Sequence, residues 1–391
     1  MADARCDNHR NMTISVALLA VTLCIVFLAY YAFSENHIDS SESTVIFATV
    51  VFRHGERSPT GLYPNDPHHD DFKWIGGFGA LTLRGALQGF KLGEKVRKRY
   101  THLLPSNGFY TTNEMYVSSS STERCLMTAQ SFLAALLPPP NNGQNLLPIK
   151  WQPVAINSVP RDRDKLISQK ANCPKYDDLL AKMYSDPPEE LRKFLQDNTE
   201  LFEYISKHTG ANISNVHQGE QLYNILSIEK KNGLKLPKWT ESVFPDKLLA
   251  LAERNLAVLT ETDYMKQIKG GFFVTDVLDK MVRKKNNQLE PDRKLFIYSG
   301  HDVTLVNVMR ALDIIPQTTR KPDFAAALYF ELHQNPLIVG DLEVKIFYSF
   351  NHESELKRID IPNCDSPCSL ETFSNVLQPI IVHDYEEMCK L

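Results

Sequence analysis

The sequence predicts an α/β protein: a mainly parallel central sheet with helices on both faces, interrupted by a largely helical insertion. Two observations carry this. Strand-like runs occur at Thr44–Phe52, Met115–Ser118, Lys294–Ser299, Ala325–Leu332 and Leu342–Phe350, with helical patterns between them. Between about Pro160 and Gln288 the texture changes to charged, proline-punctuated segments such as YDDLLAKMY and PEELRKFLQ. A chain of 391 residues holds two or three domains, or one α/β domain with a large insertion. We assign 44–159 and 289–391 to the core, 160–288 to the insertion and 1–34 to a targeting segment.

The targeting segment is read from charge. Met12 to Phe33 carries none, with Arg5 and Arg10 before it and Glu35 and Asp39 after it. The positive-inside rule then places everything beyond Phe33 in the secretory lumen. The small-x-small Ala32-Phe33-Ser34 suits a cleaved signal peptide. The length of the apolar run suits an uncleaved membrane anchor. Both readings stay open, and both put the protein body in the secretory pathway: extracellular, in the lysosomal lumen, or on the lumenal face of a membrane. A formal net charge of −4 and no basic stripe argue against nucleic acid as a partner.

The first strand runs through Ile46–Phe52 into Arg53-His54-Gly55-Glu56-Arg57. Ligand sites of open α/β sheets lie beyond the carboxyl ends of strands. Two guanidiniums beside one imidazole disfavour its protonated form and can grip a tetrahedral oxyanion through forked hydrogen bonds. Gly55 allows close backbone approach to a ligand. Next comes a helix over Ala80–Tyr100, with Leu83, Ala86, Leu87, Phe90 and Val96 at helical spacing and a basic end. After the Met115 strand, Thr122 can cap a helix whose inner face is Leu126, Ala129, Leu133 and Leu136, stopped by Pro138-Pro139-Pro140. Arg124 in its first turn suits an anion. The strand KLFIYSG leads to Ser299-Gly300-His301-Asp302, where His301 can donate to an oxyanion and Asp302 can protonate a leaving group.

Cysteine usage suits an oxidising compartment. Beyond the targeting segment stand Cys125, Cys173, Cys364, Cys368 and Cys389. Cys364-Asp-Ser-Pro-Cys368 lacks the second ligand pair of a metal site, so we expect a short-range disulfide. The partner of Cys173 stays open on spacing alone. Asn212-Ile-Ser214 is a glycosylation sequon on the lumenal side.

The segments RHGERSP, GALTLRGALQGFKLGEKVRKRY, STERCLMTAQSFLAALLPPP and SGHD together resemble the histidine acid phosphatases of the lysosomal and prostatic type. The similarity extends over nearly all of Thr44–Leu391. It implies a phosphoglycerate-mutase-like α/β core with an α-helical cap, and an acid phosphatase acting on phosphate monoesters without metal or cofactor. It makes His54 the nucleophile, Asp302 the proton donor, and Arg53, Arg57, Arg124 and His301 the phosphate-binding set. It further implies a Cys173–Cys389 bridge, matches Cys364 and Cys368, and leaves Cys125 unpaired in a helix. A homodimer is implied as well. Two departures stand out: Ser118–Ser121 replaces a partly charged run, and Ile228 and Ala327 stand where relatives have a third bridge. Phytase-like action on inositol phosphates and a catalytically inactive secreted binding protein are the alternatives. Mutase-like cytosolic enzymes share RHGE but not the lumenal features.

Overall fold

The computed structural model describes residues 44–69, 73–140, 147–318, 321–334 and 341–391. The expected targeting segment lies outside the described residues. Among them, no helix is long and apolar enough to cross a membrane.

In chain order the principal elements are β1 (Val45–Arg53), α1 (Leu83–Arg99), β2 (Met115–Ser120), α2 (Glu123–Leu136) and β3 (Asn157–Val159). Then follow α3 (Pro174–Ser185), α4 (Glu189–Asp197), α5 (Thr199–Thr209), α6 (Val216–Lys231), α7 (Asp246–Val258), α8 (Asp263–Lys266) and α9 (Phe272–Lys285). The chain closes with β4 (Leu295–Gly300), α10 (Asp302–Ala311), β5 (Ala327–Gln334), β6 (Leu342–Ser349), β7 (Lys357–Ile359), α11 (Leu370–Val376) and α12 (Tyr385–Met388). The seven strands form one sheet in the order β3-β2-β4-β1-β5-β6-β7. The β3–β2, β2–β4 and β4–β1 pairs are parallel, whereas β5–β6 and β6–β7 are antiparallel. The reason is connection length. The parallel strands are joined by helix-bearing crossovers, while the short link from Gln334 to Leu342 leaves room only for a hairpin.

Strand β1 lies inside the sheet, and Phe47, Val50, Val51 and Phe52 are fully buried on its two faces. That explains its unbroken apolar run, since a strand covered on both faces has no solvent side to alternate with. Each such side chain contributes about 1.5–3 kcal/mol on burial. A first hydrophobic cluster joins this strand to β4, β5 and β6, and includes Phe273, Val277 and Met281 of α9. A second is built largely from α3–α8 and includes Leu226, Leu251 and Met265, together with Tyr385 and Cys389 from the C-terminal segment. Helix α9 falls within the expected insertion yet packs with the sheet. Ile46–Leu391 forms one compact unit by contacts.

Helix α1 corrects the sequence reading of its faces. Leu83 and Leu87 are 87 % and 54 % exposed, and Phe90 is exposed too. Its buried face is Gly85, Gly89, Leu92, Gly93 and Val96. A side chain at Gly93 would lie 2.2 Å from the Phe132 carbonyl oxygen, and one at Gly85 would lie 2.1 Å from that of Glu56. The helix is therefore pressed onto α2 and the loop after β1 by the absence of side chains.

Among the described residues two disulfides are present, Cys173–Cys389 and Cys364–Cys368. Cys125 is a buried free thiol. Asn212 is exposed.

Candidate active site

The two polar clusters of the sequence meet because their strands are neighbours in register. Phe52 pairs with Ser299 and Arg53 with Gly300, so both strands end at the same edge. The His54 N–H continues the ladder, donating to the Gly300 carbonyl at 2.9 Å. Strand β2 pairs with β4 on the other side, with Ser119 opposite Ser299. That brings the start of α2, and with it Arg124, to the same place.

His54 is held in one tautomer from two directions. Its Nδ1 lies 2.8 Å from the Gly55 carbonyl oxygen, which can only accept, so Nδ1 carries the proton. Its Nε2 receives the Nε–H of Arg124 at 3.1 Å, which requires a lone pair there. Burial lowers the His54 pKa well below its ordinary value, and Arg124, Arg53, His301 and Arg57 lower it further. The flanking arginines read from the sequence are thus not the largest influence. Burial is, followed by an arginine from another helix.

Gly55 is pressed against α1, where a side chain would sit 2.0 Å from the Gly85 carbonyl oxygen. Its N–H donates to the Thr128 hydroxyl at 3.1 Å, and that hydroxyl donates to the Arg124 carbonyl at 2.7 Å. Glu56 is buried, with one oxygen accepting from the Thr82 hydroxyl at 3.2 Å and the other from Arg84 at 3.3 Å. These contacts hold the loop so that the His54 ring keeps its direction.

Three guanidiniums surround the ring. Arg53 donates to the Pro322 carbonyl at 2.7 Å, pairs with Asp302 Oδ2 at 3.1 Å and lies 4.2 Å over the Phe324 ring. Its Nε is buried without a hydrogen-bond partner. Arg57 donates to the Ser58 carbonyl at 2.9 Å, and burial with Arg53 and Arg124 nearby lowers its pKa to about 10. Burial also lowers the pKa of Arg124. Three cations this close together, one with a free donor, make a site short of negative charge.

His301 stands at the N-terminus of α10, its N–H donating to the Thr304 hydroxyl at 3.2 Å. Its ring centroid is 5.6 Å from that of His54. Its Nε2 is 3.0 Å from the Ser120 hydroxyl, which also contacts the Ser168 hydroxyl at 3.0 Å. Burial and then Arg124 push the His301 pKa down to about 3, so its ring is neutral at ordinary pH. The serine run therefore supplies a hydroxyl to this histidine. The Cys125 Sγ lies 3.7 Å from the same ring, and burial pushes its thiol up to about 11, leaving it protonated. Thr122 does occupy the cap position of α2, but its side chain makes no capping bond.

Burial alone would raise the Asp302 pKa. Arg53, Lys321, His54 and His301 outweigh it and hold the carboxyl well below the usual range. Lys321 Nζ lies 3.3 Å from Asp302 Oδ2 and 2.8 Å from Glu220 Oε1. Neither Lys321 nor Glu220 was legible in the sequence. Glu220 sits in an ordinary-looking charged helix, and Lys321 precedes β5 outside any recognisable motif. Among the described residues, no cluster of three or more His, Cys, Asp or Glu side chains suits a metal ion.

Comparison with known proteins identifies the family. The family model of the histidine phosphatase superfamily (branch 2) matches residues 44–354. Human lysosomal acid phosphatase is 30% identical over 350 residues, covering 88% of this chain and 80% of that protein. Human prostatic acid phosphatase is 31% identical over 348 residues, covering 88% and 87%. Among solved structures, the apo form of Hafnia alvei phytase superposes with a TM-score of 0.64 at 19% identity, covering 89% of this chain and 98% of that one. A Bifidobacterium longum multiple inositol polyphosphate phosphatase in complex with phosphate gives 0.52 at 13% identity, covering 89% and 97%. At these identities the structural likeness concerns the fold.

Proposed function

The chain belongs to the histidine phosphatase superfamily, branch 2, and on that premise we propose an acid phosphatase that hydrolyses phosphate monoesters through a phosphohistidine. The observation that carries the mechanism is the orientation of His54: Nδ1 is tied to the Gly55 carbonyl while Nε2 keeps its lone pair among three guanidiniums. A bound phosphate draws Arg124 from Nε2 to its own oxygens. The lone pair then forms the N–P bond, and the electrons of the bond to the leaving oxygen depart with that oxygen.

Asp302 supplies the proton the leaving oxygen needs. Water next attacks phosphorus and gives a proton to Asp302, and the N–P electrons return to Nε2. Covalent catalysis divides one hard displacement into two easier ones. Arg53, Arg57 and Arg124, with the neutral donor His301, stabilise charge on the equatorial oxygens, each such donor being worth about 10²–10³ in rate. In the free protein Asp302 is a carboxylate facing Arg53. Phosphate, by engaging Arg53, raises the proton affinity of the acid when it is needed, and low pH favours the same state.

The test is phosphate release from an aryl phosphate at acidic pH by wild type and by His54→Ala. Wild type is expected to turn over and the variant not to. Absence of release by wild type would sink the proposal. Comparing inositol hexakisphosphate with simple monoesters tests the phytase-like alternative, and a wild type that binds phosphate esters without turnover would support the inactive binder.

The disulfides and the lysosomal and prostatic relatives support a lumenal or secreted protein. N-terminal sequencing of the mature protein separates a cleaved signal from a membrane anchor. Sedimentation tests the homodimer, and glycosidase treatment tests Asn212.

A further inference from the structure

Asp302 is unusually well occupied for a group that must donate a proton. Its Oδ1 accepts the Val303 N–H at 2.9 Å, and its Oδ2 faces Arg53 at 3.1 Å and Lys321 at 3.3 Å. Bound phosphate accounts for the release of Arg53 but not of Lys321. Lys321 is buried, and beside Asp302 it has one other carboxylate, Glu220, at the shorter distance of 2.8 Å. Glu220 belongs to α6 and is itself anchored by the amide of Asn255, on α7, which reaches its other oxygen. A core acid, a loop lysine and a helix from the insertion thus share one ammonium between two carboxylates.

We propose that Lys321 and Glu220 are positioning residues that set the proton affinity of Asp302, Glu220 holding the ammonium so that Asp302 can take up a proton. The inference rests on the phosphatase reading. When Asp302 is protonated, its attraction for Lys321 ends, and a buried ammonium without a counter-ion is costly. Glu220 remains as that counter-ion, so protonation leaves no orphan charge. The other ionisable groups around this cluster are Arg53, His54, Arg57, Arg124 and His301 of the proposed phosphate site, the buried thiol of Cys125, Tyr223 of α6, whose ring lies 5.9 Å from Lys321 Nζ, Tyr184 near Glu220 and Asp323 near Arg53. Lys321 contacts Asp302 without belonging to the phosphate-binding set, and Glu220 holds Lys321, so this pair can tune the acid without changing the grip on the phosphoryl group.

The two single variants act in opposite directions. Glu220→Gln leaves Asp302 as the sole anionic partner of Lys321, which lowers its proton affinity. Hydrolysis of an alkyl phosphate such as glycerol 2-phosphate should then fall about tenfold near the optimum, its alkaline limb moving about one pH unit lower. Hydrolysis of p-nitrophenyl phosphate, with its better leaving group, should change by no more than about threefold. Lys321→Met removes a cation from Asp302 and should move the alkyl-phosphate limb upward. The double variant removes both charges and should return towards wild type, as should Glu220→Asp, which keeps the carboxylate. These two also serve if burial of an unpaired charge prevents a single variant from folding.

If wild type releases phosphate but the limb moves in neither variant, or moves the same way in both, the inference is overturned alone. Aryl and alkyl phosphates suffering equally would also overturn it. No release by wild type overturns the phosphatase reading, and this inference with it.

Discussion

The Nε–H of Arg124 donates to Nε2 of His54 at 3.1 Å, joining residues 70 positions apart. The contact shows which nitrogen keeps its lone pair and places a cation against it. In the proposed mechanism this contact occupies the nucleophile until an anion draws the guanidinium away, so nucleophile and oxyanion donor are linked before substrate arrives.

Arg124→Met should lower kcat/KM for an aryl phosphate by about 10²–10³, the usual loss for one donor to a developing oxyanion. The loss should be greatest at the acidic end. Arg124 helps hold the His54 pKa down, so removing it raises that pKa and lets protons take the lone pair as pH falls. A pH profile of kcat/KM checks this, and a loss uniform across pH would contradict it.

Asp302→Ala should separate substrates by leaving group. Alkyl phosphates need a proton on the departing oxygen and should lose about 10²–10⁴ in kcat, whereas aryl phosphates should lose far less. Paired assays on p-nitrophenyl phosphate and glycerol 2-phosphate read the difference. Equal losses would remove Asp302 from the acid role.

Stability should fall as pH rises because of Asp66 and Glu229. Both are buried, and Asp66 Oδ2 and both Glu229 oxygens find no N–H or hydroxyl donor, so for these oxygens the other carboxyl is the hydrogen-bonding neighbour. Burial, then Asp66, pushes the Glu229 pKa up to about 9 from 4.5. A carboxyl with a raised folded-state pKa contributes its stability below the unfolded pKa, and loses it as pH climbs towards the folded one. Each tenfold gain in proton affinity corresponds to about 1.4 kcal/mol. Melting should therefore occur at higher temperature at pH 5 than at pH 8. Glu229→Gln, whose amide donates at any pH, should flatten that difference.

The Cys173–Cys389 bridge ties the C-terminal segment to the helical cluster across 216 positions. Cys173→Ser should cost about 2–5 kcal/mol, read as a lowered Tm. Cys364→Ser opens a bridge spanning only 4 positions and should cost less by the chain-entropy argument.

How much of this was legible depended on whether function needed a side chain to be present. Strands β1 and β4 were readable because burial on both faces leaves an unbroken apolar run, and the polar residues that end the run are the site. Arg124 was readable because a strand followed by a helix places the helix's first turn at the same edge. Helix α1 was misread in its faces for the opposite reason. Periodicity counts apolar side chains, so it pointed to Leu83 and Leu87, while the contact is made by Gly85, Gly89 and Gly93, where backbone meets backbone. The contact of Gly55 with α1 was invisible to the sequence, because it joins backbone to backbone across the turn. The bridge of Cys173 to Cys389 was implied by resemblance and invisible to spacing.

The sequence by itself determined the parallel core, the histidine at the end of its first strand, and the cations that follow it, because these are local consequences of a buried run meeting a polar cluster. Only the tertiary structure decided which nitrogen of His54 keeps its lone pair, that burial outweighs the neighbouring arginines in keeping it neutral, and that Lys321 and Glu220 stand behind Asp302. Those outcomes depend on desolvation and on charges a few ångströms apart in space but a hundred residues apart in the chain, as Lys321 and Glu220 are. No local pattern encodes such distances. They exist once the chain has folded and brought α6 beside the segment before β5.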